Sequence, residues 1–353
     1  MNKLISRRRW FWSVGAMGVS MGLSRQVCRW AEAASGAESS GATEPPGSAG
    51  EVQQKKPIWP LAMREVILRH LKPENIWTFA RQMGLEGMEV TITEKLELPH
   101  LVHPAGPYTA ADIDGLNRIR KDMERSGVRI TAFCMYNRFA ERPDIEADWC
   151  GRVARVAKSL GVSAIRIDVV AHNMRKEDFL PLAIKALRKA MAQVEPTGVP
   201  LAIENHGALT NDPEFLDALF RGVGSPLLGL TLDTGNFYWY GHPLSKLYEI
   251  FEHFACRVFH THLKGINYPP EKRETQRPMG WEYAKYQCPI YQADVDFHRV
   301  ATILDKAGYQ GDLCIENEGL GGKKIEEAEV ILKKELTLLA ELRKKLGRSP
   351  AAW

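Results

Sequence analysis

From about residue 58 the chain alternates between two hydrophobic patterns. Short runs rich in apolar and β-branched residues read as strands at 61–68, 86–91, 128–133, 163–169, 199–204, 228–233, 256–262 and 312–316. Each is followed by an amphipathic stretch, and these predict helices at about 73–83, 110–126, 144–160, 175–195, 212–221, 243–254, 296–307 and 324–345. Val162–Val170 and Leu227–Leu232 are largely apolar, as expected of parallel strands covered on both faces. Several boundaries have a chemical reason. Gly84, Gly127, Gly161 and Gly308 each follow a helical stretch, where a left-handed cap suits glycine. Asp212-Pro213 places an N-cap residue before a proline in the first helical position.

Eight strand–helix units over 58–345 predict a single α/β domain, a (β/α)8 TIM barrel. A doubly wound open sheet is the competing architecture. As a nucleotide binder it would usually carry a Gly-rich phosphate loop after its first strand, and none is present.

Charge changes the picture mainly at the N-terminus. The formal net charge is +4, but residues 1–33 hold Lys3, Arg7, Arg8, Arg9, Arg25 and Arg29 against Glu32 alone. The rest of the chain is therefore close to neutral and offers no electrostatic footprint for nucleic acid. Ser6-Arg7-Arg8-Arg9-Trp10-Phe11 resembles the twin-arginine export motif. It is followed by a mostly apolar stretch, Trp10–Leu23, and an Ala31-Glu32-Ala33 cleavage site. That stretch is shorter than the roughly 20 residues of a membrane span. The reading is a signal peptide over 1–33, served by the twin-arginine export machinery, and a mature protein in the periplasm without a stable membrane span. Retention as an N-terminal anchor is the alternative. Residues 34–57 read as a disordered linker rich in small and polar residues, and 346–353 as a tail. The six cysteines, Cys28, Cys134, Cys150, Cys256, Cys288 and Cys314, include no C-x-x-C pair, and predict neither a zinc knuckle nor a disulfide framework.

In such barrels chemistry collects at the C-terminal ends of the strands. Strand five ends in Glu204-Asn205-His206-Gly207, strand six in Asp233-Thr234-Gly235-Asn236, strand seven in His260-Thr261-His262-Leu263-Lys264, and strand eight in Glu316-Asn317-Glu318. Four consecutive strands thus deliver a carboxylate or an imidazole at equivalent heights. Burying Glu204, Asp233, His262 and Glu316 together is costly without a cation. One divalent metal ion removes that cost, and three carboxylates with one imidazole suit Mn²⁺, Mg²⁺ or Co²⁺, with Zn²⁺ also admitted. Internal ion pairs with Lys264 and Arg166 are the structural alternative. His260 and His262 point to one side of the strand, and His262, nearer the C-terminal end, is the better ligand.

At these motifs the sequence resembles the xylose isomerase-like TIM barrel superfamily, and more narrowly its sugar isomerase/epimerase branch, with relatives such as tagatose 3-epimerase and inosose dehydratase. Gly87-Met88-Glu89-Val90 on strand two is a weaker echo of the same pattern. The resemblance implies that Glu204 and Glu316 are paired catalytic acid/base carboxylates that also touch the metal, with Asp233 and His262 completing its coordination. A metal-stabilised enediolate then leads to epimerisation, aldose–ketose isomerisation or loss of a β-leaving group. The strand-six motif departs from many epimerases, having Asn236 three residues after the aspartate where they have histidine. That departure, and Met135-Tyr136-Asn137 after strand three, weaken a multi-metal nuclease reading.

The segment 265–295 is long enough to be functional. Its aromatic and basic residues suit a sugar-binding lid or a contact between protomers in a homo-oligomer. His206, Asn236, Lys264, Glu318 and Trp239 are the candidate substrate-binding residues. The sequence therefore predicts an exported, metal-dependent sugar isomerase or epimerase. A keto-sugar or inosose lyase (dehydratase) is the alternative, and a non-catalytic exported sugar-binding barrel the third reading.

Overall fold

The computed structural model describes residues 58–171 and 174–348. The twin-arginine segment, the whole of the linker and residues 349–353 of the tail lie outside the described residues. Eight parallel strands form the sheet: β1 Leu61–Arg64, β2 Gly87–Thr91, β3 Arg129–Met135, β4 Ala164–Ile167, β5 Leu201–Glu204, β6 Leu228–Asp233, β7 Val258–His262 and β8 Leu313–Ile315. Their spatial order is β8-β1-β2-β3-β4-β5-β6-β7. The seam between β7 and β8 is bridged in parallel at Leu263 and Ile315, with Leu263 N donating to Cys314 O at 2.8 Å. The (β/α)8 architecture is the one the periodicity predicts.

The helices are α1 Glu65–His70, α2 Ile76–Gln82, α3 Ile113–Ser126, α4 Pro143–Leu160, α5 Lys176–Val194, α6 Pro213–Val223, α7 Asn236–Tyr240, α8 Leu244–Phe254, α9 Pro270–Arg273, α10 Tyr283–Tyr286, α11 Phe297–Lys306 and α12 Ile325–Lys345. Their starts follow capping chemistry. Asn75 Oδ1 accepts from the backbone N–H of Trp77 and Thr78, Asp112 from Gly115, and Asp212 from Glu214. Gly127 and Gly161 take the left-handed cap conformation, with φ of 69° and 70°. Among the described residues no helix is long and apolar enough to cross a membrane.

The first strand departs from expectation. The run 61–68 is not one strand, because β1 stops at Arg64 and residues 65–70 are helical. An apolar run does not by itself distinguish strand from buried helix. Here the buried Glu65 decides the matter, accepting the backbone N–H of Thr91 at 2.7 Å and so anchoring the turn into α1. The consequence is functional, since Arg64 becomes a strand-end residue.

The 265–295 segment is ordered as a flap. Gly265–Ile266 pairs antiparallel with Gln287–Cys288. Buried Arg277 donates to the carbonyls of Tyr238, His242 and Thr275 at 3.1, 2.8 and 2.9 Å, and its guanidinium lies over the rings of Tyr238 and Tyr268. The flap is thereby fixed to α7.

Candidate metal centre

Each of the four strand-end groups is set in place by its own element. Asp233 ends β6, where its Oδ1 accepts the backbone N–H of Gly235 and Asn236, both at 2.8 Å. That turn leaves Oδ2 facing inward. Asn205 ties the end of β5 to that of β6, donating to Asp233 O at 2.9 Å and accepting from Asp233 N at 2.8 Å. Gly235 is required here. A Cβ at that position would meet the Lys264 side chain at 2.9 Å, so only glycine lets Lys264 cross toward the barrel axis.

Glu204, Asp233, His262 and Glu316 come together with one potential ligand atom each, all within 4.8 Å of one another and all from buried side chains. His262 Nδ1 lies 3.4 Å from Glu204 Oε1 and 3.3 Å from Glu316 Oε2. Three atoms facing this point, Asp233 Oδ2, His262 Nδ1 and Glu316 Oε2, are buried without a hydrogen-bond partner. Lys264 Nζ approaches Asp233 Oδ2 at 3.1 Å and Glu316 Oε2 at 2.9 Å, but without the angles a hydrogen bond needs. Buried polar atoms are rarely left unsatisfied. Convergent orphaned oxygens and an imidazole nitrogen therefore fit a divalent cation by their chemistry.

The same side chains also make ion pairs, as the structural alternative requires, and they involve more partners than the two it named. Arg64 pairs with Glu316 and lies 3.2 Å from Glu89. Arg166 pairs with Glu204 through Nη2, its Nε donating to the same oxygen at 2.6 Å, and with Asp168 at 2.9 Å. Each candidate acid/base glutamate thus has one oxygen on a guanidinium and the other toward the centre. A second potential ligand group, Asp168, Glu204 and His206, surrounds this same guanidinium. Arg166 already supplies positive charge to the two carboxylates of that group.

The electrostatics follow from burial and these neighbours. Burial opposes ionisation of Glu204 and Glu316. Arg166 and His262 nevertheless hold Glu204 below the usual carboxylate range, as His262, Lys264 and Arg64 do Glu316. Burial pushes the Asp233 carboxyl up to about 8, against the pull of Lys264. Burial would keep His262 neutral, but Glu316, Glu89 and Glu204 hold it well above the ordinary histidine range. At pH 7 the metal-free centre therefore holds protons on His262 and Asp233 that an entering cation must displace. Titration calorimetry with Mn²⁺ at pH 7, in buffers of differing ionisation enthalpy, should report release of about two protons per ion. Release should fall as the pH rises through about 8, where metal-free Asp233 loses its proton unaided. Binding without proton release would contradict ligation by these groups.

The other predicted residues divide. Asn236 Nδ2 donates to Glu204 Oε1 at 3.1 Å, and Lys264 Nζ reaches Glu318 Oε1 at 3.1 Å. Tyr283 Oη donates to Glu318 Oε2 at 2.5 Å, which links the flap to the centre. His206, with about half its side chain exposed, places Nδ1 3.0 Å from Asp168 Oδ1. Trp239 is not brought to the centre. Its backbone carbonyl accepts from Gly280 and its ring lies against that glycine, so it packs beneath the flap. The sequence reading missed Arg64, Asp168 and Tyr136 as members of the site. Tyr136 is 48 % exposed, and its hydroxyl accepts from Arg64 at 2.6 Å. A hollow of about 280 Å³ lined by Arg64, His70, Glu316 and Glu318 adjoins these residues. A larger one of about 410 Å³, between α2 and α3, contains none of them.

A parallel eight-stranded barrel with its polar cluster at the strand ends defines the class. The family model described as the xylose isomerase-like TIM barrel matches residues 77–342, and the chain belongs to that family. An inosose dehydratase from Clostridium perfringens is 26% identical over 151 residues, 41% of this chain and 49% of that protein. The chain thus matches about half the length of this curated relative. The IolI protein solved with a zinc atom superposes with a TM-score of 0.60 at 18% identity, covering 81% of this chain and 98% of that one. A xylose isomerase-like TIM barrel protein from Mycobacterium smegmatis in complex with magnesium gives 0.58 at 16%, covering 80% and 97%. At these identities the structures establish the shared fold.

Proposed function

We propose that the chain is a metal-dependent enzyme that removes the acidic proton beside the carbonyl of a keto-sugar or keto-cyclitol and expels the β-hydroxyl as water. One divalent ion, held by Glu204, Asp233, His262 and Glu316, would supply positive charge to the substrate's carbonyl and neighbouring hydroxyl oxygens. Glu204 and Glu316 flank that position, and the carboxylate facing the C–H bond takes the proton. Asn236 and Lys264 orient the substrate's hydroxyl groups, with Glu318 holding Lys264 and Tyr283 in place.

The observation that favours dehydration is the His206–Asp168 pair. The hydrogen bond to Asp168 raises the His206 pKa against its partial burial, which favours the protonated imidazole. It then donates that proton as the carbon–oxygen bond breaks, and water leaves as the carbon–carbon double bond forms. Glu204, held low by Arg166 and His262, and Glu316, held low by His262, Lys264 and Arg64, are poorer donors for this step. The similarity to inosose dehydratase supports the same reading. Epimerisation or isomerisation is the second reading, favoured by the two carboxylates at one centre, which would take a proton from one carbon face and return it to another.

The test is a panel of keto-sugars and inososes in deuterated water. A dehydrated product, with His206→Asn lowering its rate by about 10²–10⁴-fold, is expected of a general acid. Solvent exchange with an epimer or isomer as product would favour the second reading. Neither a dehydrated product nor exchange with any substrate would remove both. Export belongs to this proposal, and Arg7, Arg8 and Arg9 with the apolar stretch after them support it. Replacing Arg8 and Arg9 by lysine should keep the protein inside the cell on fractionation, and unchanged export would rule the signal out.

A further inference from the structure

Behind the centre lies a second buried polar chain that the proposed reaction does not use. His262 turns Nδ1 to the centre and pairs through Nε2 with Glu89 Oε2. The same Glu89 oxygen lies 2.6 Å from His260 Nε2, and His260 Nδ1 lies 2.7 Å from Asp312 Oδ1. All four side chains are at most 2 % exposed. Glu89 Oε1 faces Arg64 Nε at 3.2 Å, and Arg64 holds Glu316. Glu89 on β2 thus touches one candidate ligand directly and reaches a second through one guanidinium.

The chemistry of the contacts fixes the protons. An ionised carboxylate only accepts, so two imidazoles meeting one Glu89 oxygen must both donate from Nε2. For His262, a proton held on Nε2 leaves the Nδ1 lone pair for a cation. We infer that Glu89 is a positioning residue, which selects the His262 tautomer and ring orientation that bind metal through Nδ1, with His260, Asp312 and Arg64 holding Glu89 in place. Carboxylates behind metal-bound histidines act in this way in general, and their loss typically costs 10–100-fold in affinity.

This inference rests on the metal-centre reading, and the experiment separates the two. Co²⁺ binding to the full chain is measured by calorimetry and by the visible absorption of the bound ion, for the native chain and for Glu89→Gln, His260→Gln and Glu65→Gln. Glu65 is an equally buried carboxylate on the neighbouring turn, bonded to Thr91 and without a contact to His262 among the described residues. The expected result is about 10–100-fold weaker binding and an altered absorption band for Glu89→Gln, with an affinity within about twofold of native for Glu65→Gln. If Glu89→Gln does not fold, the inference stands or falls on whether His260→Gln shifts affinity and band in the same direction. Native-like Co²⁺ affinity in Glu89→Gln, or equal losses in Glu89→Gln and Glu65→Gln, would overturn the positioning role. No Co²⁺ binding by the native chain would overturn the metal centre itself.

Discussion

Asp233→Asn is expected to fold and to bind Mn²⁺ or Co²⁺ more than about 100-fold more weakly than the native chain, beyond the range typical for removing a group behind a ligand. The fold should survive because Asn keeps the oxygen that accepts the Gly235 and Asn236 amides. It should survive also for an electrostatic reason. Burial pushes Asp233 up to about 8, above the range of an unfolded aspartate, so at pH 7 folding of the metal-free chain must retain a proton that the unfolded chain has lost. That cost grows as the pH rises toward 8 and disappears in acid. Asn mimics the protonated form at every pH. The metal-free variant should therefore melt at or above the native temperature at pH 7 while its ion affinity collapses, because Nδ2 cannot ligate. A melting temperature many degrees lower, or an unchanged affinity, would contradict the role given to Oδ2.

Arg166→Met carries the second large effect. The guanidinium is 2 % exposed and neutralises both Glu204 and Asp168. Removing one partner of a buried pair strands the other's charge, at a cost of about 3–5 kcal/mol. Without Arg166, burial is the largest influence on Glu204, and it raises the carboxyl's pKa. The variant should therefore regain stability as the pH falls below 7 and Glu204 takes up a proton, whereas native Glu204, held low, stabilises throughout that range. Added Mn²⁺ should restore part of the loss by pairing with Glu204. Urea melts at pH 5 and 7, with and without Mn²⁺, check each point. Arg175→Met is the control, since its exposed pair with Asp178 is worth about 0–1 kcal/mol. A loss no larger in Arg166→Met than in the control would refute the account of the buried pairs.

Much of this site is legible in the sequence, for a geometric reason. A barrel places consecutive strand ends side by side, so four short motifs in order are enough to bring Glu204, Asp233, His262 and Glu316 together. Arg64 was hidden because the apolar run continues past it, and only the anchoring of Glu65 to Thr91 shows that the strand has ended. Arg166 and Asp168 alternate on strand four, and that alternation was a usable signal for a shared inward face. The Glu89–His262 contact joins residues 173 positions apart across the barrel, and no local pattern specifies it. Trp239 is placed by a contact of the same long-range kind, against Gly280 of the flap. Its place after strand six pointed to the mouth, but the flap held by Arg277 covers α7.

The central claim is the metal centre. Crystals of the full chain grown with Mn²⁺ and measured at a wavelength where manganese scatters anomalously test it most directly. The account predicts one strong anomalous peak within coordination distance of Asp233 Oδ2, His262 Nδ1, Glu204 and Glu316. A peak elsewhere, or none at this position with Lys264 alone bridging Asp233 and Glu316, would contradict it and leave the strand-end acids as an internal ion-pair network.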